Sequence, residues 1–246
     1  MNMGASDFAA TMPPSYREAF SPAEIAEHAA IVSRRVGRAA HMEIWRALSN
    51  GCISVCVVAE DRAALLSLVS GVLVEFGFDV TSAEIYCRTP PEGPREAVDL
   101  FWIRSRDTSG KLRPITPEEV AAASERLCAV VENPSVLALS HRAEGEAGLD
   151  PIPASRVFFD VTVRDTPGQV LVVEGHDRPG LLHSVVRALH RYGVDIVASE
   201  VRTEGQRVRD RFTILGQGGA LLSADERELI KNAVRKAMRA AERRQG

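Results

Sequence analysis

Residues 61–84 read DRAALLSLVSGVLVEFGFDVTSAE, and residues 177–200 read DRPGLLHSVVRALHRYGVDIVASE. Laid over one another 116 positions apart (61 to 177), the two segments match. Asp61, Arg62, Leu65, Leu66, Val69, Leu73, Gly77, Asp79 and Glu84 recur as Asp177, Arg178, Leu181, Leu182, Val185, Leu189, Gly193, Asp195 and Glu200. A match at the period of a whole structural unit makes the chain a tandem of two like units. Leu65, Leu66, Val69, Val72, Leu73 and Phe76 follow the rhythm of a helix with one buried face, and the second copy keeps the phase. Gly77 and Gly193 stand where a left-handed residue would end each helix.

Working outward, a β-rich run precedes each helix, Ile53–Val58 and Gln169–Glu174, and two more follow it. These are 79–88 with 97–104 in the first copy, and 195–203 with 207–215 in the second. The first copy carries a Pro-rich insert, TPPEGP, in its hairpin. A further helix starts in each copy at a capping box, Thr116 with Glu119 and Ser223 with Glu226, in which hydroxyl and carboxylate satisfy the first turn reciprocally. Each unit reads β-α-β-β-α, a ferredoxin-like plait lacking one strand. An extended run leads each copy, 41–47 and 157–164, joined to the next strand by a Ser-Asn-Gly or Asp-Thr-Pro-Gly turn. This leading strand is expected beside the first strand, where a trailing fourth strand would otherwise lie. Ser21-Pro22 with Glu24 opens an N-terminal helix expected to turn Ile25, Ala29, Val32 and Val36 inward.

The expected fold is therefore α+β: two ferredoxin-like βαββαβ-type units with antiparallel sheets covered by helices on one face, plus an N-terminal helix. The expected boundaries are a helical segment over 1–40, a first unit over 41–132, a Pro/Gly-rich linker over 133–155 and a second unit over 156–246.

At 45% hydrophobic and 26% charged residues the composition suits a folded core. A net charge of −3 sets up no field that would gather nucleic acid or an anionic membrane. The basic stretch 231–244 reads as a solvated helix end, since no aromatics interleave with it. No apolar run approaches the roughly 20 residues of a membrane helix, and the N-terminus lacks a signal-peptide pattern, so a cytoplasmic location is expected. Cys52, Cys56, Cys87 and Cys128 form no Cys-x-x-Cys pair, and neither a metal site nor a cofactor is expected. Glu84 and Glu200 are read as solvent-facing. Asp99 and Asp210 are read as outward-facing beside core Phe101 and Phe212, and Trp45 and Trp102 as packed inside or between the copies.

The run from Val172 to Leu182, with its Asp-Arg-Pro-Gly-Leu signature, resembles the opening of an ACT domain. More closely, both copies are similar to the tandem ACT domains of the bifunctional uridylyltransferase/uridylyl-removing enzymes that modify the PII nitrogen-signalling protein. Met12–Tyr16, Phe20–His28 and Val157–Asp160 resemble flanking segments of the same enzymes. The catalytic parts of those enzymes have no counterpart. His176-Asp177 is an HD pair only in letters, since it opens the Asp-Arg-Pro-Gly turn at a strand end.

The resemblance implies a small effector held between paired units. The loop Asp177, Arg178, Pro179, Gly180, Leu181 and Leu182 suits that task. Pro179 stands where a helix can begin, Gly180 has no Cβ to block a ligand, the helix N-terminus favours a carboxylate, and Asp177 is placed to receive an ammonium group. The resemblance adds the second strand of each unit, Val197, Ala198 and Ser199 in one copy and Thr81, Ser82 and Ala83 in the other. The first loop begins with Asp61 and Arg62 but continues Ala63-Ala64, placing a methyl group where glycine would admit a ligand. One working site is therefore expected, at Asp177–Leu182. The expected function is a non-catalytic regulatory protein that senses an amino acid, glutamine first, within nitrogen or amino-acid signalling, with a protein partner or a homodimer as possible context. The alternative is a ligand-free scaffold. No nucleophile–base pair, metal cluster or phosphate loop at a workable spacing supports an enzyme.

Overall fold

The computed structural model describes residues 4–48, 51–135, 155–163 and 167–242, with side chains as far as residue 239. Most of the expected linker, the Ser-Asn of the first turn, Arg164 and the end of the basic stretch lie outside the described residues.

The first unit runs β1 (Ala40–Ala47), β2 (Ile53–Glu60), a helix (Leu65–Glu75), β3 (Phe78–Arg88), β4 (Glu96–Arg106), the short β5 (Leu112–Arg113) and a helix (Pro117–Glu132). The second runs β6 (Arg156–Asp160), β7 (Gln169–His176), a helix (Leu181–Arg191), β8 (Asp195–Glu204), β9 (Arg207–Leu215) and a helix (Ala224–Glu242). Three more helices precede them, α1 (Ala5–Thr11), α2 (Pro14–Ala19) and α3 (Pro22–Ser33). The unit helices are therefore α4, α5, α6 and α7 in chain order.

Among the described residues the strands form one nine-stranded sheet in the order β1-β2-β4-β3-β8-β9-β7-β6, with β5 on β4. All pairings are antiparallel. Within each unit the leading strand pairs with the first, so β1 and β6 occupy the place of a trailing fourth strand, as the sequence predicts. The units meet through their second strands, with Ser82 opposite Arg202, Ala83 opposite Val201, Glu84 opposite Glu200 and Ile85 opposite Ser199. Glu84 and Glu200 are equivalent in the repeat, so a local twofold axis passes between them. This pairing removes the exposed edge that each unit would otherwise present. The two glutamates stand partly exposed at this axis, with the Glu200 side chain 42% exposed, and Glu84 Oε2 accepts from Tyr86 Oη at 2.7 Å.

Helices α4–α7 cover one face of the sheet. Leu65, Leu66, Val69, Val72 and Leu73 pack with Leu181, Leu182, Val185, Val186 and Leu189 in a single core shared by both units. Ser70 and His183 meet across the α4–α6 contact, Oγ to Nδ1, at 3.1 Å. Capping boxes form at Ser21, Thr116 and Ser223.

The opposite face of the first unit is also covered, which corrects the one-face expectation. Alternate residues of β2 and β4, Cys56, Val58, Val98 and Leu100, pack under Phe8, Met12, Tyr16, Phe20 and Ile25 of the N-terminal segment. The near-continuous apolar run Ile53–Ala59 has this cause, because a strand covered on both faces has no polar side. Three helices stand where one was expected. Val36 is 86% exposed rather than inward, because α3 stops at Ser33 and the chain turns out through Gly37, whose φ is 74°. Trp45 and Trp102 pack edge to face, 6.3 Å apart, in this N-terminal layer rather than between the copies. Tyr16 Oη lies 2.6 Å from His28 Nδ1 there, and burial holds the His28 ring down at about 4, hence neutral.

Asp99 and Asp210, expected outward, are each 1% exposed. Residues two apart in a strand share a face, so Asp99 follows Phe101 and Asp210 follows Phe212 into the core beneath the helices.

Gly180 does not leave Pro179 as the first helical residue. Gly180 is itself a left-handed N-cap at φ 75°, and α6 begins at Leu181. Ala64 takes the same conformation at φ 69° before α4. The methyl group at a left-handed position costs roughly 1–2 kcal/mol, partly offset by the greater unfolded-state freedom that glycine would have. Ala64→Gly is thus expected to raise stability by about 0.5–1 kcal/mol in urea titrations. A lower midpoint would show that packing by the Ala64 methyl outweighs its strain.

Candidate functional site

The two Asp-Arg loops are held alike. Asp61 N donates to Arg95 O and Asp177 N to Gln206 O, each at 2.8 Å, which ties each loop to the start of a neighbouring strand. Each arginine is engaged by its own unit. Arg62 Nη1 donates to Val131 O at 2.7 Å, and Arg178 Nη2 to Met238 O. Val131 lies in the last turn of α5, whose carbonyls lack helical partners and attract cations, and Met238 lies one turn before the end of α7. The arginine of the repeated motif therefore staples the loop to the closing helix of its own unit.

Each loop faces the beginning of the other unit's second strand, making two clefts related by the local twofold axis. Asp177, Arg178, Gly180, Leu181 and Leu182 face Phe78, Asp79 and Val80. Asp61, Arg62 and Ala63–Ser67 face Val194, Asp195, Ile196 and Val197. Val197 thus lines the cleft at the first loop. The other predicted strand residues stand just beyond the clefts. Thr81 Oγ1 donates to Trp102 O at 3.1 Å and Ser82 Oγ to Val201 O at 2.8 Å, while Ala83 pairs with Val201, Ala198 with Thr213, and Ser199 is buried. The cause is a bulge at equivalent places, between Val80 and Ser82 and between Ile196 and Ala198. An extra residue there shifts which side chains reach the loop. Pro179 is exposed and outside the cleft lining.

The clefts differ in occupancy. At the second loop, where a working site was expected, Arg104 reaches from β4 and binds both aspartates. Its Nη2 lies 2.7 Å from Asp79 Oδ2 and 2.7 Å from Asp177 Oδ2, and its Nε 2.8 Å from Asp79. The side chains are 17%, 7% and 8% exposed for Arg104, Asp79 and Asp177, and burial pushes the Asp79 carboxyl up against the pull of Arg104. What remains is a space of ≈ 20 Å³, room for about one water molecule. At the first loop the cavity is ≈ 310 Å³, walled by Leu65, Leu66, Ile85, Val186 and Leu215 and bearing Asp61, Asp99 and Asp195.

Asp99 lines the open cleft and Asp210 the closed one. Among the described residues each has an Oδ1 atom without a hydrogen-bond partner. Burial holds the Asp99 carboxyl well above the usual range, against a backbone hydrogen bond from Tyr86, and pushes Asp210 up to about 8 against one from Arg202. Asp210 is thus held protonated near neutral pH. Sequence reasoning missed Asp79, Asp195, Arg104 and Leu215 as cleft residues. The recurrence of Asp79 as Asp195 inside the repeat was the available signal. Among the described residues no group of three or more His, Cys, Asp or Glu side chains is placed to hold a metal ion, and no helix is long and apolar enough to cross a membrane.

Residues 169–233, from β7 into α7, match the family model of the ACT domain. The first unit has the same strand order and the same Asp-Arg loop. The chain is similar to the bifunctional uridylyltransferase/uridylyl-removing enzyme of Phenylobacterium zucineum, 28% identical over 97% of this chain and 25% of that protein. It is similar to that of Nitrobacter hamburgensis at 27% over 82% of this chain and 21% of that protein. The chain therefore spans about a quarter or less of the length of these relatives. Among solved structures, aspartate kinase from Synechocystis aligns over 75% of this chain and 27% of that chain, at 13% identity and a TM-score of 0.35. Together the ACT match and the sequence relatives support a regulatory, ligand-binding role.

Proposed function

We propose that this chain is a non-catalytic regulatory module that binds a small amino-acid effector in the cleft between its two units and passes the liganded state to a protein partner. The observation that carries this reading is the ≈ 310 Å³ cavity where the first Asp-Arg loop meets β8, within the size range of small-molecule sites and with polar groups set in an apolar wall. Its walls come from both units, so a ligand there bears on how α4 and β8 sit relative to one another. The similarity to uridylyltransferase/uridylyl-removing enzymes makes glutamine the first effector to test and nitrogen signalling the context. Placing the site at Asp61–Ser67 moves it from the second loop, because there Arg104 already occupies both aspartates. The ligand-free scaffold reading has this filled cleft in its favour.

Calorimetric titration with the twenty amino acids is expected to find one site per chain for one of them. At 100 times its dissociation constant that ligand should stabilise the fold by about 2.7 kcal/mol, or several degrees in Tm. Ala63, exposed at the cleft, offers a blocking variant, and Ala63→Trp should abolish the heat while preserving the fold. Absence of binding at millimolar concentration from folded protein would favour the scaffold.

A further inference from the structure

The local twofold axis allows the two clefts to be compared residue by residue. Asp177 corresponds to Asp61 and Asp79 to Asp195. In the sheet, Asp79 lies opposite Arg104, and Asp195 lies opposite Leu215. The open cleft has therefore kept both carboxylates of the closed one and replaced the cation between them by leucine. Leu215 lines that cavity. The Asp195 side chain is exposed and has no hydrogen-bond or ion-pair partner among the described residues, whereas its counterpart Asp79 is buried under Arg104. Asp61 is met from the rim by Arg95 Nη2 at 3.2 Å on a side chain that is 55% exposed, a geometry that contributes little, and within the cavity by the neutral Cys87 thiol, so no buried cation holds it. Arg62 is engaged with Val131 O. Deeper in the same cavity, Asp99 is 1% exposed and its Oδ1 has no partner. A buried polar atom left unmatched is costly, so a ligand that supplies a hydrogen-bond partner gains there.

We propose that the open cleft takes a small molecule with a cationic nitrogen group, a primary ammonium or a guanidinium, seated between Asp61 and Asp195 where Arg104 sits in the sister cleft. Arg104 is then a built-in stand-in for the effector: one half of the tandem is permanently filled by the protein's own cation, and the other half waits for one from solution. The inference rests on the reading of this cleft as the effector site and adds the chemistry of what enters it. The apolar wall of Leu65, Leu66, Val186 and Leu215 suits an aliphatic stem. The first turn of α4 leaves N–H groups that suit a carboxylate, which favours amino acids over simple amines.

Four probes and four variants test it. Calorimetry of the full chain is run with L-glutamine, L-arginine, ethylguanidinium, which is the cation alone, and glutaramate, which is glutamine without its α-ammonium. Glutaramate is expected to bind at least tenfold more weakly than glutamine. Leu215→Arg restores the closed-cleft pattern and is expected to raise the Tm of the ligand-free protein and abolish binding of every cationic probe, while Leu215→Met leaves binding in place. Arg104→Ala is expected to lower the Tm, and millimolar ethylguanidinium should restore it by more degrees than it shifts the wild type. Glutamine and glutaramate binding alike, with both lost in Ala63→Trp, would keep the effector cleft and overturn the cation. Cationic probes binding equally to Leu215→Arg, or a folded Arg104→Ala that ethylguanidinium leaves unchanged, would overturn the proposal as well. Ethylguanidinium binding with no response to any amino acid would support the paired aspartates and overturn only the amino-acid reading. If none of the four probes binds the wild type, both readings fall.

Discussion

Replacing Arg104 by methionine is expected to lower the stability of the chain by about 3–5 kcal/mol, the usual cost of stranding a buried charge by removing its partner. Methionine keeps much of the volume and removes only the guanidinium. Asp79 and Asp177, 7% and 8% exposed, would then face each other with little water and only the more distant charge of Arg106 acting on Asp79. The pair joins the two units, since Asp79 belongs to β3 of the first and Asp177 to the loop of the second. The loss should therefore appear as a lower urea midpoint for the whole fold rather than for one half. Its pH dependence has a definite sign. Burial already raises the Asp79 carboxyl, and loss of Arg104 raises it further, so the variant binds more protons folded than unfolded and its deficit shrinks as pH falls toward 5. An unchanged midpoint at pH 8 would show that Arg104 adds nothing beyond the desolvation it incurs.

Asp210→Asn is expected to act in the opposite direction. Asp210 is 1% exposed, its Oδ1 is unpartnered, and burial pushes its carboxyl up to about 8. An unfolded aspartate titrates near 3.9. Between these values the folded chain holds a proton that the unfolded chain has released. Stability from this group is therefore fully present below about 4, falls as pH rises toward 8, and stays low above it. The accumulated difference reaches about 5 kcal/mol above pH 8. Asparagine has nearly the same shape and no charge to desolvate. The variant should gain roughly 10 °C in Tm at pH 8, gain little at pH 4, and flatten the slope between. Thermal melts across pH 4–9 read this directly, and parallel curves for wild type and variant would show that Asp210 is ionised at little cost.

Both predictions concern residues whose importance the sequence carried only in part. The element order followed from the repeat, the apolar rhythm of the two matched helices and the three capping boxes, because these are local properties of the chain. The place of the leading strand followed from the plait having one strand too few. Asp99 and Asp210 were misjudged because the preference of carboxylates for water was set above the twofold period of a strand, and that period carries them inward with Phe101 and Phe212. Thr81–Ala83 and Ala198–Ser199 missed the clefts because one extra residue in each second strand shifts its register, and a bulge leaves no mark in apolar alternation. The N-terminal layer was underestimated for a different reason. Phe8 and Tyr16 lie in two helices of 7 and 6 residues, too short to show a period, Met12 lies between them, and all three are held by burial against β2 and β4.

The sequence by itself determined that the chain is two copies of one α+β unit, how each copy is threaded, and that an Asp-Arg loop opens onto a helix in both. It could not tell one loop from the other, since Pro179-Gly180 against Ala63-Ala64 pointed to the second as the vacant one. Only the tertiary structure decided which cleft is filled. That depends on Arg104 in one unit and Leu215 in the other, each lying in a strand that meets the other unit's loop across the shared sheet. The physical reason is that an ion pair forms wherever side chains are within reach after packing. The partners here are 73 residues apart in the chain and 2.7 Å apart in space, and no periodicity along the sequence encodes that meeting.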